Sequence, residues 1–578
     1  MAENELNNLD KKRHSLAHLL AAAVLELYPG TKNTLGPAID NGFYYDFDFN
    51  SPISDKDLLK IEDRMREIFK TWHNFEQKIV NEDIAKSTFL ENEFKNELIT
   101  EIVNKGEKIT FYTSGNFTDL CRGGHVEDMS EISPDSWKLD RVAGAYWRGN
   151  EKNKMLTRIY GLAFNTKDEL DEYIKLREEA EKRDHKKLGK ELGLYMFHET
   201  APGMPYWLPK GLILYKELEN YWRKEHAKLN YMEIASPLVN KAELWKISGH
   251  WDHYKDDMFI ADMGENEVYG IKPMNCPNAM IVFKSMQVSY KDLPLRLSDT
   301  DRLHRYERSG TLNGLLRCRS FQQDDSHNFI SEDLIESEYE HIMEICKNFY
   351  GIFNLEYKFR LGTRPDGYLG DLESWNKAED ILRKVLDKSG KEYSVAEGDG
   401  AFYGPKIDIV MKDALDREWQ MGTMQLDFQQ PKRFELEYTD KDGSKKTPAV
   451  IHRVIYGSLE RFIGILVEHY AGAFPTWLSP VQVRILPISD KHAEYGEKIN
   501  KELIENGIRS EVDTDSETLG KKIRDAKMQK IPYLLVVGDK EVSGGLVTVE
   551  SRSGKENKEE IPLSEFLENI KEEIKERR

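Results

Sequence analysis

The spacing of hydrophobic positions changes along the chain, and each change predicts a different element. In KKRHSLAHLLAAAVLEL and LLKIEDRMREIFKTW the apolar residues recur with a helical period. Between them, NGFYYDFDF alternates aromatic and polar residues, which is typical of a strand. Residues 1–165 are therefore expected to form one α+β unit.

The pattern after this unit predicts three further segments. The charged run KDELDEYIKLREEAEKRDHKK indicates a solvated linker helix within residues 166–188. The Pro- and Gly-rich APGMPYWLPKG marks a new start before the helical LILYKELENYWRKEHAKL, in a core expected over residues 189–478. From residue 479 to 578, VQVRILPI, EYGEKINKELIENG, SEVDT, TLGKKIRDAKMQK and YLLVVGD alternate strand and helix, which predicts a small α/β domain with a largely parallel sheet.

Composition limits the class of protein without identifying it. The 578 residues are 39% hydrophobic, enough to fill a core in each of three or four domains. No apolar run reaches the roughly 18 to 20 residues that span a bilayer, and MAENELNNLDKKRH lacks a signal-peptide core, so we expect a cytoplasmic protein without a membrane segment. The four cysteines are widely spaced, which makes disulfides improbable. The net charge of -19 gives no sign of nucleic-acid binding, which depends on local basic surface.

The stretch RLHRYERSGTLNGLLRCRSFQQDDSHNF carries the clearest chemistry. RLHRYE and LLRCRSFQQ have the pattern of antiparallel strands, and the polar SGTLNG between them suits a loop. Because a guanidinium binds phosphate oxygens bidentately, Arg305 and Arg317 could hold a polyphosphate between the strands. The chain has no Gly-x-x-x-x-Gly-Lys-Ser/Thr run, so side chains rather than a backbone nest would hold the phosphates.

This stretch resembles motif 2 of the class II aminoacyl-tRNA synthetases. YMEIASPLVNKAELW, with Pro237, is similar to motif 1, and VIYGSLERFIGILVEHYAG, with Gly457, Ser458, Glu460 and Arg461, is similar to motif 3. The three occur in the order of that class. With GHWDHYKDDMF, KPMNCPNAM, DDSHNF, AFYGPKIDI, WQMGTMQLDF and AVIHRVIYGS, the sequence resembles the threonyl-tRNA synthetases from about residue 14 to its end.

The resemblance implies an α+β multidomain fold. It implies an N-terminal editing domain over residues 1–165 and a class II antiparallel-sheet core over residues 189–478, joined by the linker helix. Residues 479–578 would form the anticodon-binding domain. The expected activity is ATP-dependent activation of L-threonine and its transfer to tRNA(Thr), with hydrolytic editing of mischarged Ser-tRNA(Thr). Motif 1 lies on a two-fold interface in this class, so we expect a homodimer.

The resemblance also implies roles for individual residues. The expected catalytic residues are Arg305, Arg461 and Lys406. The expected ATP-binding residues are Arg305, Glu307, Arg317, Gln420, Ser458 and Arg461, with Mg²⁺ accompanying the ATP. The expected threonine-binding residues are Met274, Gln323, Asp325 and Tyr403.

Three residues are candidates for a metal site in the core. Cys276, His327 and His452 are 51 and 125 residues apart, a spacing with no zinc-finger signature, so alone they read as buried structural residues. The resemblance places all three at zinc-ligand positions, with one Zn²⁺ per subunit. Such an ion would separate threonine from the nearly isosteric valine, which an apolar pocket distinguishes by only about a hundredfold.

The N-terminal unit carries a second cluster. His14 and His18 share a helix face, whereas Cys121 and His125 flank a Gly-Gly pair that disfavours a regular helix. The spacing is compatible with a structural metal. The resemblance instead implies an editing site, generally without metal, in which Asp119 supports these four residues.

Other interpretations remain at this point. A synthetase-like regulator would keep the fold, a prolyl or seryl synthetase would keep the three motifs, and a zinc hydrolase would use the N-terminal cluster as its main site. Bacterial threonyl-tRNA synthetases usually carry a ubiquitin-like domain ahead of the editing domain, and with about thirteen residues before His14 we expect it to be absent. Glu541 and Arg552 are candidate anticodon contacts.

Overall fold

The computed structural model of the chain describes residues 7–265, 267–413, 417–552, 554 and 559–577. It divides into two compact units, Met1–Glu178 and Glu179–Arg578. No helix in the described ranges is both long and apolar enough to cross a membrane.

The first unit is α+β, as the sequence predicts. Its helices are α1 (Asn8–Leu27), α2 (Leu58–Phe69), α3 (Glu82–Thr88) and α4 (Glu93–Asn104). Its strands are β1 (Lys32–Asn33), β2 (Ala38–Ile39), β3 (Gly42–Asp48), β4 (Glu76–Val80), β5 (Ile109–Ser114), β6 (Phe117–Leu120), β7 (Trp137–Tyr146) and β8 (Met155–Ala163). Strands β1, β3, β8 and β7 form one antiparallel sheet with β2 on β3, and β4, β5 and β6 form another.

Helix α1 is the central helix of this unit. Asn7 caps its first turn by accepting a hydrogen bond from the Asp10 backbone N–H at 2.9 Å. Leu16, Leu19 and Leu20 are fully buried in a cluster that includes aromatic residues of β3. The hydrophobic contacts fix α1 against the sheet, and with it the orientation of His14 and His18.

The charged segment forms two helices rather than the single one predicted. Helix α5 (Lys167–Arg183) ends before Asp184, and α6 (His185–Glu191) follows. Asp184 has non-helical backbone angles, and its carboxylate accepts a hydrogen bond from the Lys186 N–H at 2.7 Å. An N-cap aspartate satisfies the free N–H groups of a new helix, so the side chain that begins α6 also separates it from α5.

The second unit contains an eight-stranded sheet in the order β11-β15-β18-β25-β22-β21-β19-β20. All neighbours are antiparallel except the outermost pair at each edge, which confirms the predicted antiparallel core. The strands are β9 (Tyr195–Met196), β10 (Tyr206–Trp207), β11 (Tyr231–Glu233), β12 (Val239–Lys241), β13 (Ile260–Asp262), β14 (Val268–Ile271), β15 (Leu295–Asp299), β16 (Arg302–His304), β17 (Ser320–Gln322), β18 (Asp325–Ile330), β19 (Lys358–Gly362), β20 (Tyr393–Ala396), β21 (Lys406–Lys412), β22 (Glu418–Asp427), β23 (Tyr438–Thr439), β24 (Lys445–Lys446) and β25 (Ala449–Val454).

Helices cover this sheet and place the candidate residues against it. They are α7 (Pro209–Lys228), α8 (Ala242–Ser248), α9 (His250–His253), α10 (Cys276–Lys284), α11 (Ile335–Gly351), α12 (Leu372–Ser389), α13 (Gln430–Arg433) and α14 (Leu459–His469). Side chains of α7, α11, α12 and α14 share one large buried cluster with the sheet. Helix α10 packs through Phe283, which stacks on Phe329 of β18 at 4.2 Å between ring centroids. This contact brings Cys276, at the start of α10, towards the same strand.

The C-terminal part confirms the predicted alternation of strands and helices. Strands β26 (Val483–Pro487), β27 (Ser510–Val512) and β28 (Tyr533–Val537) are parallel, and β29 (Leu546–Ser551) and β30 (Glu559–Pro562) extend the sheet antiparallel. The helices are α15 (Ala493–Glu505), α16 (Leu519–Met528), α17 (Asp539–Gly544) and α18 (Leu563–Glu576).

Candidate active sites

Sheet register brings the three candidate metal ligands together. His327 on β18 and His452 on β25 are direct cross-strand partners, with ring centroids 5.0 Å apart. Cys276 enters from α10, and the ligand atoms of the three residues lie within 4.8 Å of one another. All three side chains are buried. One thiol and two imidazoles are donors that zinc prefers, so this set fits a zinc ion.

The surroundings of the three residues favour metal binding. Asp427 Oδ2 lies 2.9 Å from His452 Nε2, which leaves the Nδ1 atom of the ring for a metal. Burial holds the pKa of His327 well below its usual value, so that ring is neutral and free to donate a lone pair. Burial raises the pKa of the Cys276 thiol, a shift that a nearby cation would reverse.

The predicted threonine-binding residues lie beside this cluster. Met274, Gln323, Asp325 and Tyr403 all line one cavity of about 590 Å³ together with the three candidate ligands. Asp325 Oδ2 accepts a hydrogen bond from Asn275 at 3.1 Å, and burial raises the pKa of the Asp325 carboxyl. The Tyr403 ring lies 5.0 Å from the His452 ring. The cavity therefore presents an acidic group and hydrogen-bonding groups next to the metal ligands.

The candidate ATP-binding residues line the rest of the same cavity. Arg305, Glu307, Arg317, Gln420, Ser458 and Arg461 are all in its wall. Arg305 and Arg317 lie outside the two short antiparallel strands, β16 and β17, which is a shorter hairpin than the sequence predicts. Glu307 pairs with Arg317 at 3.0 Å. The three arginines of this set thus line one cavity in a chain of net charge -19.

Arg461 is held at the start of α14 by its backbone and its side chain. Ser458 caps the helix by accepting the Arg461 N–H at 3.2 Å. The guanidinium donates to the carbonyl oxygens of Leu316 at 2.8 Å and Gln420 at 2.6 Å. These bonds connect α14 to the loop after β16 and to β22.

Lys406 is the one predicted catalytic residue that the structure does not place in the cavity wall. Its Nζ lies 3.0 Å from Asp408 Oδ2 and 3.1 Å from Asp399 Oδ2. Asp408 also accepts a hydrogen bond from Gln420 at 2.8 Å. Because Gln420 does line the cavity, Lys406 is connected to the site through this acid rather than by direct exposure.

Several residues near the site have no assignment from the sequence. His250 is fully buried, and its Nε2 lies 2.9 Å from Met274 Sδ and 3.9 Å from Cys276 Sγ. Asp427 orients His452, and Asn275 holds Asp325. Asn275 and His250 lie within the quoted stretches KPMNCPNAM and GHWDHYKDDMF, but no spacing rule connects either residue to its partner.

The structure brings the four residues of the N-terminal cluster together. Ligand atoms of His14, His18, Cys121 and His125 lie within 4.8 Å of one another. Cys121 Sγ is 3.6 Å from His14 Nε2 and 3.3 Å from His125 Nε2. The loop from Cys121 to His125 is not helical because Gly123 and Gly124 have φ values of 101° and 86°.

The electrostatics of this cluster keep it neutral. Burial lowers the pKa of His14, His18 and His125, and it raises the pKa of Cys121 to about 12. The cysteine is therefore a thiol rather than a nucleophilic thiolate. His18 Nδ1 is buried without a hydrogen-bond partner among the described residues.

Asp119 lies in a charged network beside the cluster. Its carboxylate pairs with the buried Lys95 at 2.5 Å and accepts a hydrogen bond from the Tyr45 hydroxyl. His14, His18, Lys95, Asp119 and Cys121 line a cavity of about 400 Å³. The sequence gives no signal for Lys95, which is buried on the amphipathic helix α4. The cavity is large enough for a nucleoside-sized ligand.

The two candidate anticodon contacts have structural partners. Glu541 accepts hydrogen bonds from the Gly538 N–H and the Thr548 hydroxyl, both at 2.7 Å. Arg552 donates to the Phe474 and Lys530 carbonyl oxygens. Their role towards RNA stays a prediction.

Comparison with known proteins first defines the class. Residues 259–470 match the tRNA synthetase class II core domain (G, H, P, S and T). Residues 482–573 match the anticodon binding domain, and residues 109–160 match the threonyl and alanyl tRNA synthetase second additional domain. A class II aminoacyl-tRNA synthetase core is thus combined with an editing and an anticodon-binding domain.

Similarity over the whole chain then defines the family. A threonine–tRNA ligase of Clostridium botulinum (strain Okra / Type B1) is 51% identical over 97% of this chain and 88% of its own length. One of Caldanaerobacter subterraneus subsp. tengcongensis is 51% identical over 97% of this chain and 87% of its own. The crystal structure titled as the RNA binding domain of threonyl-tRNA synthetase from Cryptosporidium parvum Iowa II is similar with a TM-score of 0.65 and 41% identity, covering 67% of this chain and 98% of that one. The chain belongs to the threonyl-tRNA synthetase family, and the sequence prediction is confirmed.

Proposed function

We propose that this synthetase activates threonine in the cavity lined by β18, β22 and β25, with Cys276, His327 and His452 holding one zinc ion per subunit. The observation that carries this proposal is the meeting of these three ligands with Asp325 and Arg305 in one cavity. A zinc ion held there supplies coordination positions that the amine and hydroxyl of threonine can fill and that valine fills only in part. Asp427 keeps the His452 ring oriented for this role.

The remaining residues would position threonine and ATP for reaction. Asp325 is suited to accept a hydrogen bond from the threonine amine, and Gln323 and Tyr403 would fix the rest of the amino acid. A carboxylate oxygen of threonine attacks the α-phosphorus of ATP, and the bond to pyrophosphate breaks. Two anions must approach in this step, so positioning and charge stabilisation contribute more than a base.

The three arginines would supply that charge stabilisation. We assign Arg305 to the α-phosphate and the amino-acid carboxylate, Arg461 to the far end of the triphosphate, and Glu307 to the adenine edge. Arg317, Gln420 and Ser458 complete the nucleotide site in the same cavity wall. ATP enters as its Mg²⁺ complex, as the family's ATP-dependent reaction requires. Lys406 would act through Asp408 and Gln420.

The metal assignment is tested by comparing two buried cysteines. Cys276→Ala should lose bound zinc, measured as metal per chain, and should lose threonine-dependent exchange of pyrophosphate into ATP. Cys346→Ala is the matched control, because Cys346 is also fully buried but lies on α11 in the hydrophobic cluster. Normal threonine activation by protein without zinc, or by Cys276→Ala, would contradict the assignment.

In the N-terminal unit we propose an editing site for seryl-tRNA(Thr). Serine also has an amine and a hydroxyl, and the missing methyl group is worth only about 1 to 3 kcal/mol, so selection at the first site is incomplete. Neutral histidines can accept hydrogen bonds from water, and the cavity of about 400 Å³ beside them can admit the terminal ribose and its ester. His14, His18, Cys121 and His125 would position water and ribose, supported by Asp119.

A metal in the editing site is the alternative. It is supported by the same four residues, whose ligand atoms lie within 4.8 Å. Chelation distinguishes the metal-free editing site from the metal-containing one. A metal-dependent hydrolase loses deacylation activity when the metal is removed, and a site that only positions water does not.

We further propose the domain limits and the assembly. The editing domain would comprise residues 1–165, the linker helix residues 166–188, the catalytic core residues 189–478 and the anticodon-binding domain residues 479–578. The three ranges that match family models, 109–160, 259–470 and 482–573, fall within these limits. The protein would work as a homodimer through motif 1. A cytoplasmic location stays a prediction.

A further inference from the structure

A buried histidine outside the three motifs contacts the loop that carries Arg317. His185, the first residue of α6, is 1% exposed. Its Nε2 accepts a hydrogen bond from the Leu315 backbone N–H at 3.2 Å, and its Nδ1 lies 2.7 Å from Glu468 Oε1. Because a backbone N–H can only donate, Nε2 is the acceptor and Nδ1 carries the hydrogen given to Glu468.

The contacted loop is a tight turn in the wall of the ATP cavity. Asn313 and Arg317 exchange backbone hydrogen bonds of 3.1 and 3.4 Å, so Leu315 lies at the tip of the turn. Leu315, Leu316 and Arg317 all line the cavity. Movement of the Leu315 peptide would therefore move Arg317, and with it the Glu307–Arg317 pair.

The turn is shaped to fit the histidine. Gly314 has a φ of +52°, and a Cβ at this position would lie 2.4 Å from His185 Nε2. The backbone of His185 is also held, because the Tyr195 hydroxyl donates to the His185 carbonyl oxygen at 2.7 Å. The imidazole thus has one fixed position against the turn.

Two side chains of α14, Arg461 and Glu468, are connected to this turn by hydrogen bonds. Arg461 donates directly to the Leu316 carbonyl oxygen at 2.8 Å, and Glu468 acts on the Leu315 N–H through His185. Arg461 and Glu468 are seven residues apart and so lie on the same helix face. Cutting the second connection leaves apolar packing of Leu315 and Leu316 against α14, and the hydrogen bond from Arg461, a side chain that also has to bind phosphate.

We propose that His185 and Glu468 form a positioning pair that fixes the Leu315–Arg317 turn for ATP binding. This inference rests on the ATP site proposed above. Asp184, His185 and Glu468 are close enough to bind a metal, but a metal site explains their contacts less well. Both ring nitrogens of His185 already have hydrogen-bond partners, and Asp184 Oδ1 is 3.9 Å from His185 Nδ1. The pair touches no substrate and would act only through the turn.

The test separates the KM for ATP from the KM for threonine in pyrophosphate exchange. His185→Leu removes both hydrogen bonds and should raise the KM for ATP about tenfold while the KM for threonine changes less than twofold. His185→Gln should recover most of the loss, because its amide oxygen can accept the Leu315 N–H. The double variant His185→Leu, Glu468→Leu should be no worse than His185→Leu alone, because both residues act through one connection.

Controls distinguish positioning from general destabilisation. Leu382→Ala removes a fully buried side chain of α12 in the same unit and should lower Tm without an ATP-specific effect. If His185→Leu does not fold, Glu468→Leu provides the same comparison with the ring in place. An unchanged KM for ATP, an equal rise in both KM values, or the same ATP-specific rise in Leu382→Ala would overturn the proposal.

A further variant separates failure of the inference from failure of the ATP site. Arg461→Ala should raise the KM for ATP whether or not His185 has a role. If Arg461→Ala raises the KM for ATP and His185→Leu does not, the proposal of a positioning pair is wrong and the assignment of the ATP site is retained. If neither variant changes the KM for ATP, both the positioning pair and the ATP-site assignment of Arg461 are wrong.

Discussion

At the residue scale, this protein buries both imidazole and carboxyl groups near its two sites. Burial favours loss of the proton from an imidazole and retention of the proton by a carboxyl group. Burial lowers the pKa of the His327 and His14 imidazoles, whereas it raises the pKa values of the Glu460 and Asp324 carboxyl groups to about 7. Glu460 follows Ser458 in motif 3, and its Oε2 accepts the Gln322 N–H at 3.0 Å. Its carboxyl therefore links motif 3 to motif 2 but is costly to ionise.

Replacement of this carboxyl should change how stability depends on pH. The pKa of Glu460 rises from 4.5 in the unfolded chain to about 7 in the folded one, so its stabilising contribution is complete below pH 4.5 and lost as pH rises through 7. Glu460→Gln keeps an acceptor oxygen and cannot ionise. Its free energy of unfolding should exceed that of the wild type by an amount that grows to about 3 kcal/mol at most between pH 4.5 and 7.5.

Thermal melts across this pH range measure the difference. Glu344→Gln, at an exposed position of α11, is the control and should show no such gain. A difference between Glu460→Gln and the wild type that stayed constant with pH would show that the buried carboxyl does not titrate in this window.

The site residues differ in how far the sequence predicts them. Arg305 and Arg317 follow from a local pattern of two strands and a loop, because both residues are near in sequence. Cys276, His327 and His452 do not, since the register of β18 on β25 and the packing of α10 create their proximity. The resemblance identified them without that geometry. No local spacing connects His185 to Leu315 or Asp427 to His452.

At the element scale, hydrophobic period predicts the long helices and the C-terminal alternation because each buries one continuous apolar face. Hydrophobic period does not predict a helix boundary that is set by a single polar side chain, such as Asp184, which separates α5 from α6. It also overestimates the length of β16 and β17. Residues around Arg305 and Arg317 are held by side-chain contacts to neighbouring elements, which periodicity does not report.

The segment from β11 to β12 has an apolar surface that supports the proposed dimer. Met232, Leu238 and Val239 are 46%, 40% and 50% exposed, and Pro237 of motif 1 lies among them. We expect this surface to be buried against the same surface of a second copy.

Light scattering at micromolar concentration should give about twice the chain mass of 67.2 kDa. Leu238→Glu should lower the mass towards that of one chain, because two carboxylates would be buried at the two-fold interface. Leu59→Glu, at a 76% exposed position of α2, should have no effect. A wild-type mass near 67.2 kDa would contradict the dimer.

At the scale of the whole molecule, the two proposed sites would make complementary selections. The cavity of the second unit is proposed to exclude valine because valine lacks a hydroxyl. Serine has a hydroxyl, so this cavity would not exclude serine completely. The cavity of the first unit is proposed to remove serine after transfer, which needs a site that accepts an ester without a charged nucleophile. The neutral state of Cys121 and its histidine neighbours fits that requirement.

Charging of tRNA(Thr) by the wild type and by a His14→Ala, His18→Ala variant tests this division most directly. His73→Ala, an exposed histidine of the same unit, is the control. The wild type and His73→Ala should accumulate Thr-tRNA(Thr) only, and the double variant should accumulate both Thr-tRNA(Thr) and Ser-tRNA(Thr), with no Val-tRNA(Thr) from any of them. Accumulation of valine product by the double variant would contradict selection at the first site, and absence of serine product from it would contradict editing at the second.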